Sequence, residues 1–198
     1  MAVMSIGRTD PRPLTVDDLA RMPDDGRRYE LVDGRLDVSP APVFPHSVVD
    51  TRLTWHLVNQ VPKGYMPISA PGINLNADRT HHRIPDLAVI RRQDCESPYL
   101  TRPPVLAIEI MSPESVFRDN HTKRREYAEF GIESYWIINP APDKTGIMEF
   151  RLQDGTYHEV QQVFGESVFA TTSPLELRLV PYWLTADDES WTERLGGE

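Results

Sequence analysis

Three short apolar segments, IPDLAVI, VLAIEIM and SYWIINP, occupy the centre of the chain, and a helix-forming stretch, TKRREYAEF, separates the last two. A buried strand, a helix and a second buried strand over roughly 35 residues form a crossover unit whose strands run parallel. That unit predicts a mixed α/β architecture, with a central mixed β-sheet flanked by helices. The first two strands also carry acids, because Asp86 and Glu109 interrupt their apolar runs. An ionised carboxylate in a dry strand is costly unless something pairs with it. A divalent cation shared by the two strands would supply that pairing, with Lys123 on the following helix close by.

The remaining sequence fits around this unit. Thr15 and Asp18 form a capping pair that opens a short helix, TVDDLARMP, stopped by Pro23. Asp33-Gly34 and Asp154-Gly155 each sit between alternating apolar residues and predict two-residue hairpins. HSVVDTRLTWHLVNQV has helical spacing and is closed by Pro62 and Gly64. YMPISAPGINLN reads as a strand running into a loop, NADRTHHR as a polar turn, and VFATTSPLELRLV as an edge strand or wrapping segment. The expected organisation is a single domain over residues 1–198, with a flexible N-terminus at 1–13, the body at 14–183 and a partly ordered tail at 184–198.

Composition excludes several classes. Of 198 residues, 39% are hydrophobic and 26% charged, which is ordinary for a globular protein. One cysteine, Cys95, forbids an intrachain disulfide and fits a reducing cytoplasm. No secretory signal is visible, and no apolar run approaches the roughly 18 residues of a membrane span. A net charge of −9 argues against a protein that coats nucleic acid non-specifically. A groove would need local positive charge, for which Arg118, Lys123, Arg124 and Arg125 are candidates, with Arg83, Arg91 and Arg92 elsewhere; the bland alternative for each is a solvated surface charge.

Hydrolysis of a phosphodiester requires hydroxide near neutral pH and charge to offset the developing phosphorane, both within reach of Mg²⁺ or Mn²⁺ held by one or two carboxylates. Asp86, Glu109 and the backbone carbonyl of Ile110 are the candidate ligands, and Lys123 would orient water or stabilise phosphate charge. Helical side chains lean towards the helix N-terminus, so a lysine in an early turn can reach back to the strand. Structural alternatives stand beside each assignment. Asp86 could cap a turn, Glu109 could form an ion pair with Lys123, and Glu30 could face solvent. His46 reads as a cap or packing group, Asp119 as a helix cap, and Tyr127 as core with its hydroxyl near the site. His81, His82 and His121 lack zinc spacing with Cys95. No nucleophile elbow, Walker motif or dinucleotide glycine pattern is present.

A Pro-Asp pair, a strand glutamate and a nearby lysine resemble the PD-(D/E)XK nuclease superfamily, although Met111 stands where that motif has its lysine. A narrower resemblance is more specific. YELVDGRL, SPAP with His46, RIPDLAVI, PPVLAIEIMSPES and RDNHTKRREYAEFGIESYWIINP are similar to the bacterial "putative restriction endonuclease" branch of that superfamily. There the lysine lies on the following helix in the pattern Asp-x-x-x-Lys-x-x-x-Tyr, matched by Asp119, Lys123 and Tyr127. The resemblance implies a restriction-endonuclease-like core and a metal-dependent endonuclease-like hydrolase acting on DNA. Asp86 and Glu109 would bind Mg²⁺ or Mn²⁺, Lys123 would replace the strand lysine, and Glu30 would be a further acid. Cutting both strands of a duplex with one site per chain implies a homodimer. The alternatives are a non-catalytic nucleic-acid- or protein-binding module on the same fold, and a regulatory homodimer whose buried acids form only ion pairs.

Overall fold

The computed structural model describes residues 12–112 and 118–197. The expected flexible N-terminus falls outside them as far as residue 11, as does the stretch 113–117 that leads from the second acidic strand towards its helix. In chain order the elements are α1 (Val16–Leu19), β1 (Arg28–Val32), β2 (Arg35–Ser39), α2 (Phe44–Gln60), β3 (Tyr65–Ser69), β4 (Ile73–Asn74), β5 (His82–Arg83), β6 (Leu87–Arg91) and β7 (Leu106–Ile110). A π-helical turn, Arg118–Lys123, then feeds α3 (Arg124–Phe130). The chain continues through β8 (Ser134–Asn139), β9 (Gly146–Gln153), β10 (Thr156–Phe164), β11 (Phe169–Thr171), β12 (Leu177–Leu179) and α4 (Trp191–Arg194).

The central sheet has six strands in the order β10-β9-β8-β7-β6-β3. β7 and β8 are parallel and every other pairing in it is antiparallel, so the sheet is mixed and the crossover is as the sequence predicts. Its central strands are apolar on both faces because both faces are covered. On one side Val49, Leu53 and Leu57 of α2 pack with Leu87, Val89, Leu106, Ile108, Trp136 and Ile138. On the other, Tyr127 and Ala128 of α3 join Ala107, Tyr135, Ile137 and Phe150. Both predicted hairpins form, and their Asp-Gly turns have positive φ at each residue: 50° and 75° at Asp33 and Gly34, 49° and 78° at Asp154 and Gly155. Gly131 ends α3 in the left-handed conformation, with φ 95°.

Two segments differ from their sequence reading. The polar stretch NADRTHHR contains β5, which pairs with β1 and β4 to build a second sheet, β2-β1-β5-β4. His82 and Arg83 are buried there; a two-residue polar strand carries no periodicity that could reveal it. The C-terminal stretch, expected as partly ordered, packs against the core through Leu184 and Leu195, both fully buried. Among the described residues no helix is long and apolar enough to cross a membrane.

Candidate active site

Asp86 immediately precedes β6 and is 3% exposed. Its Oδ2 accepts a 2.7 Å hydrogen bond from the Ile110 amide at the end of β7 and lies 3.1 Å from His46 Nε2 on α2. Its Oδ1 pairs with Arg28 of β1. Burial alone would raise the pKa of this carboxyl, but the His46 bond, the charges of Arg28 and His46 and the Ile110 amide outweigh it and hold the value at about 2. Asp86 is therefore ionised, and its partners converge from α2, β1 and β7.

Glu109, 2% exposed, stands one residue before the end of β7. Its Oε1 accepts from Lys123 Nζ at 2.8 Å and from the Tyr127 hydroxyl at 2.7 Å. Lys123 and Tyr127 are four residues apart across the junction of the π-turn with α3, so one helical face delivers both donors to one oxygen. Lys123 Nζ also lies 3.5 Å from Glu30 Oε1 on β1. Glu30 is fixed in turn by the Ile84 amide at 2.6 Å and by Arg83 at 3.2 Å. Arg83, 1% exposed, grips Glu126 of α3 through two bonds of 2.7 and 2.9 Å and reaches Asp37 of β2 at 3.1 Å. Glu126 is also 3.1 Å from His81 Nε2.

Asp86, Glu109, Lys123, Glu30 and Ile110 thus line one cleft of about 350 Å³, which Arg28, His46 and Arg118 also border. A larger depression of about 750 Å³, between Asn74, Tyr99 and Phe130, contains none of these groups. The other cations considered for a groove lie away from the cleft. Arg124 donates to the Tyr157 carbonyl and covers the Phe150 ring, Arg125 pairs with Glu129, and Arg91 pairs with Glu133. Arg83 is a buried strut rather than a surface charge. Arg28 has no counterpart among the sequence candidates, and His46, expected as a cap or packing group, instead faces Asp86. Their only sequence signal was position: Arg28 two residues before Glu30, and His46 just after the SPAP segment.

The electrostatics bear on whether a cation fits. Glu30, Asp86 and Glu109 share Arg28, Lys123 and part of Arg83, with Asp119 adding a further buried negative charge nearby. Burial pushes the pKa of Glu109 up to about 8; the Lys123 charge opposes this, and Asp119, Asp86 and Glu30 reinforce it. The cleft lining sets three carboxyl groups, Glu30, Asp86 and Glu109, against Arg28, Lys123 and Arg118, and its carboxylate oxygens are hard donors of the kind Mg²⁺ and Mn²⁺ prefer. Among the described residues no three His, Cys, Asp or Glu side chains form a ligand cage. Two carboxylates with a carbonyl suit Mg²⁺, which keeps much of its water.

A family model, Uma2, described as "Putative restriction endonuclease", matches residues 16–185. Among solved structures, the chain is similar to a putative nuclease belonging to DUF820 from Anabaena variabilis, with a TM-score of 0.62 and 18% identity over 81% of this chain and 90% of that one. That likeness bears out the restriction-endonuclease-like fold. No curated protein matches the chain.

Proposed function

Because the chain belongs to the Uma2 family of restriction-endonuclease-like proteins, whose description points to a nuclease, we propose that it is a metal-dependent DNA phosphodiesterase whose site is the cleft between β6, β7 and α3. One observation carries the reading: Asp86, Glu109 and Lys123, drawn from a strand start, a strand end and a helix junction, line a single cleft. Asp86 and Glu109, with the Ile110 carbonyl, are the residues that would hold Mg²⁺ or Mn²⁺. Such an ion supplies an activated water at neutral pH and charge against the phosphorane. Lys123, held in place by Glu109 and Glu30, presents a buried ammonium that orients the attacking water and offsets charge on a phosphate oxygen. Glu30 acts through Lys123. Arg28 and Arg118, each partly exposed at the cleft, are placed to take a phosphate. Two copies would cut both strands of a duplex.

Calorimetry with Mn²⁺, paired with plasmid nicking by the wild type and Asp86→Ala, tests this. Binding and nicking that both vanish in the variant support the reading. Nicking that persists in Asp86→Ala removes it. One observation favours a rival, non-catalytic module: Arg28 and Lys123 already pair with the two acids. A wild type that binds DNA yet nicks none with Mg²⁺ or Mn²⁺ would establish that rival.

A further inference from the structure

The mouth of the cleft is apolar and its floor is charged. The segment Pro40-Ala41-Pro42-Val43 lines the mouth and is exposed throughout. Val43 is 62% exposed, and Phe44, which begins α2, is 81% exposed. An aromatic ring left this far in water is unexplained by packing, since it belongs to no core cluster among the described residues. Pro42 and Pro45 flank the pair, and proline fixes the backbone φ, so the rim is stiff before anything binds. Two residues along the same helix, His46 lies 3.1 Å from Asp86, which ties the rim to the floor. The floor offers the guanidinium of Arg28 and that of Arg118, whose Nε has no hydrogen-bond partner among the described residues.

A flat hydrophobic face beside two partly exposed guanidinium groups complements a nucleotide that offers a base to the rim and a phosphate to the floor. In an intact duplex the bases are stacked and turned inward, away from such a rim. Only an unpaired nucleotide can present both groups at once. We infer that the cleft accepts single-stranded DNA, or a strand locally released from its duplex, with a base stacked on Phe44. The inference rests on the phosphodiesterase reading for the identity of the floor, and it narrows the substrate.

Binding of a fluorescein-labelled oligothymidine and of a blunt hairpin duplex, followed by anisotropy in Ca²⁺, tests it in the full chain. Cleavage of both in Mn²⁺ and sedimentation are measured alongside. The single strand should bind at least tenfold tighter than the hairpin. Phe44→Ala should weaken it about tenfold, in line with the loss of one stacked base, and Phe44→Trp should restore it. Equal affinity for the two DNAs, an unchanged Phe44→Ala, or no binding of either DNA overturns the inference. So does a Phe44→Ala variant that loses a dimer while keeping its affinity for the single strand, because the rim is then an interface between copies. Cleavage confined to intact duplex removes the inference and leaves the hydrolase standing. Phe44-dependent binding without cleavage in any metal removes the hydrolase and leaves the stacking.

Discussion

Lys123 Nζ lies 2.8 Å from Glu109 Oε1, with both residues almost completely buried and on different elements. The ammonium is not Glu109's alone, since Glu30 is 3.5 Å away and Asp119 adds to the negative charge. Losing the two partners should therefore have unequal effects. Lys123→Met strands several buried carboxylates and should cost about 3–5 kcal/mol. Glu109→Gln replaces a group whose proton is held up to about pH 8, so it should change stability by only about 1 kcal/mol near pH 7. Urea denaturation of both variants at pH 7 decides this. Equally large losses would mean an isolated, fully ionised pair.

In the proposed metal site, the protonation of Glu109 links cation binding to pH. Its pKa is about 8 in the folded state against the ordinary 4.5, so the folded protein binds more protons across that window. Without metal, this group makes stability fall as pH rises from about 4.5 to about 8, and its contribution is constant above. A cation favours the carboxylate and expels the proton, so Mn²⁺ affinity should climb about tenfold per pH unit up to that point. Calorimetry in buffers of differing protonation enthalpy would report the proton directly. Binding with no proton release between about pH 6 and 8 would contradict the charge assignment.

Arg83 should prove a structural requirement. It holds Glu126, Glu30 and Asp37 together from a buried position. Arg83→Leu leaves those carboxylates without their shared cation and should cost about 3–5 kcal/mol, enough to unfold a marginal domain. Arg83→Lys should recover part of this, because an ammonium supplies charge without the fork that grips both oxygens of Glu126. Thermal melts of the two variants compare the contributions. Melting unchanged in Arg83→Leu would show that the network contributes nothing.

The two hairpin glycines offer a matched pair. Gly34 and Gly155 have nearly the same positive φ, 75° and 78°, so alanine at either meets the same backbone strain, about 1 kcal/mol. At Gly155 a Cβ meets nothing within 4 Å among the described residues, whereas at Gly34 it would overlap the Cβ of Pro13. Gly34→Ala should therefore be the more destabilising by chemical denaturation. Equal losses would show that the Pro13 segment gives way freely.

What the sequence disclosed follows from how far each signal travels along the chain. Strands β6, β7 and β8 were legible because burial on both faces makes an unbroken apolar run, and the hairpins because Asp-Gly turns are local chemistry. Asp86, Glu109 and Lys123 stood out for the same reason, as charges where the pattern demands apolar residues or on the adjoining helix. Arg28, His46 and Arg83 did not, because their partners lie 58, 40 and 43 residues away respectively, at Asp86, Asp86 and Glu126. A buried cation whose partner lies that far along the chain looks, in its own local sequence, like an ordinary surface charge. β5 was hidden by being short and polar, its burial imposed by β1 and β4 on either side.

The lysine rides on a helix rather than on the strand that bears its acid, and the helix is moored elsewhere. Arg124, next along, donates to the Tyr157 carbonyl on β10 at 2.9 Å and lies 4.1 Å over the Phe150 ring on β9. The far edge of the sheet therefore acts as a tether for the Lys123 amine. Perturbations at that distant hairpin, by substitution or by a docking partner, have a mechanical route to the proposed site that a strand-borne lysine would not have provided.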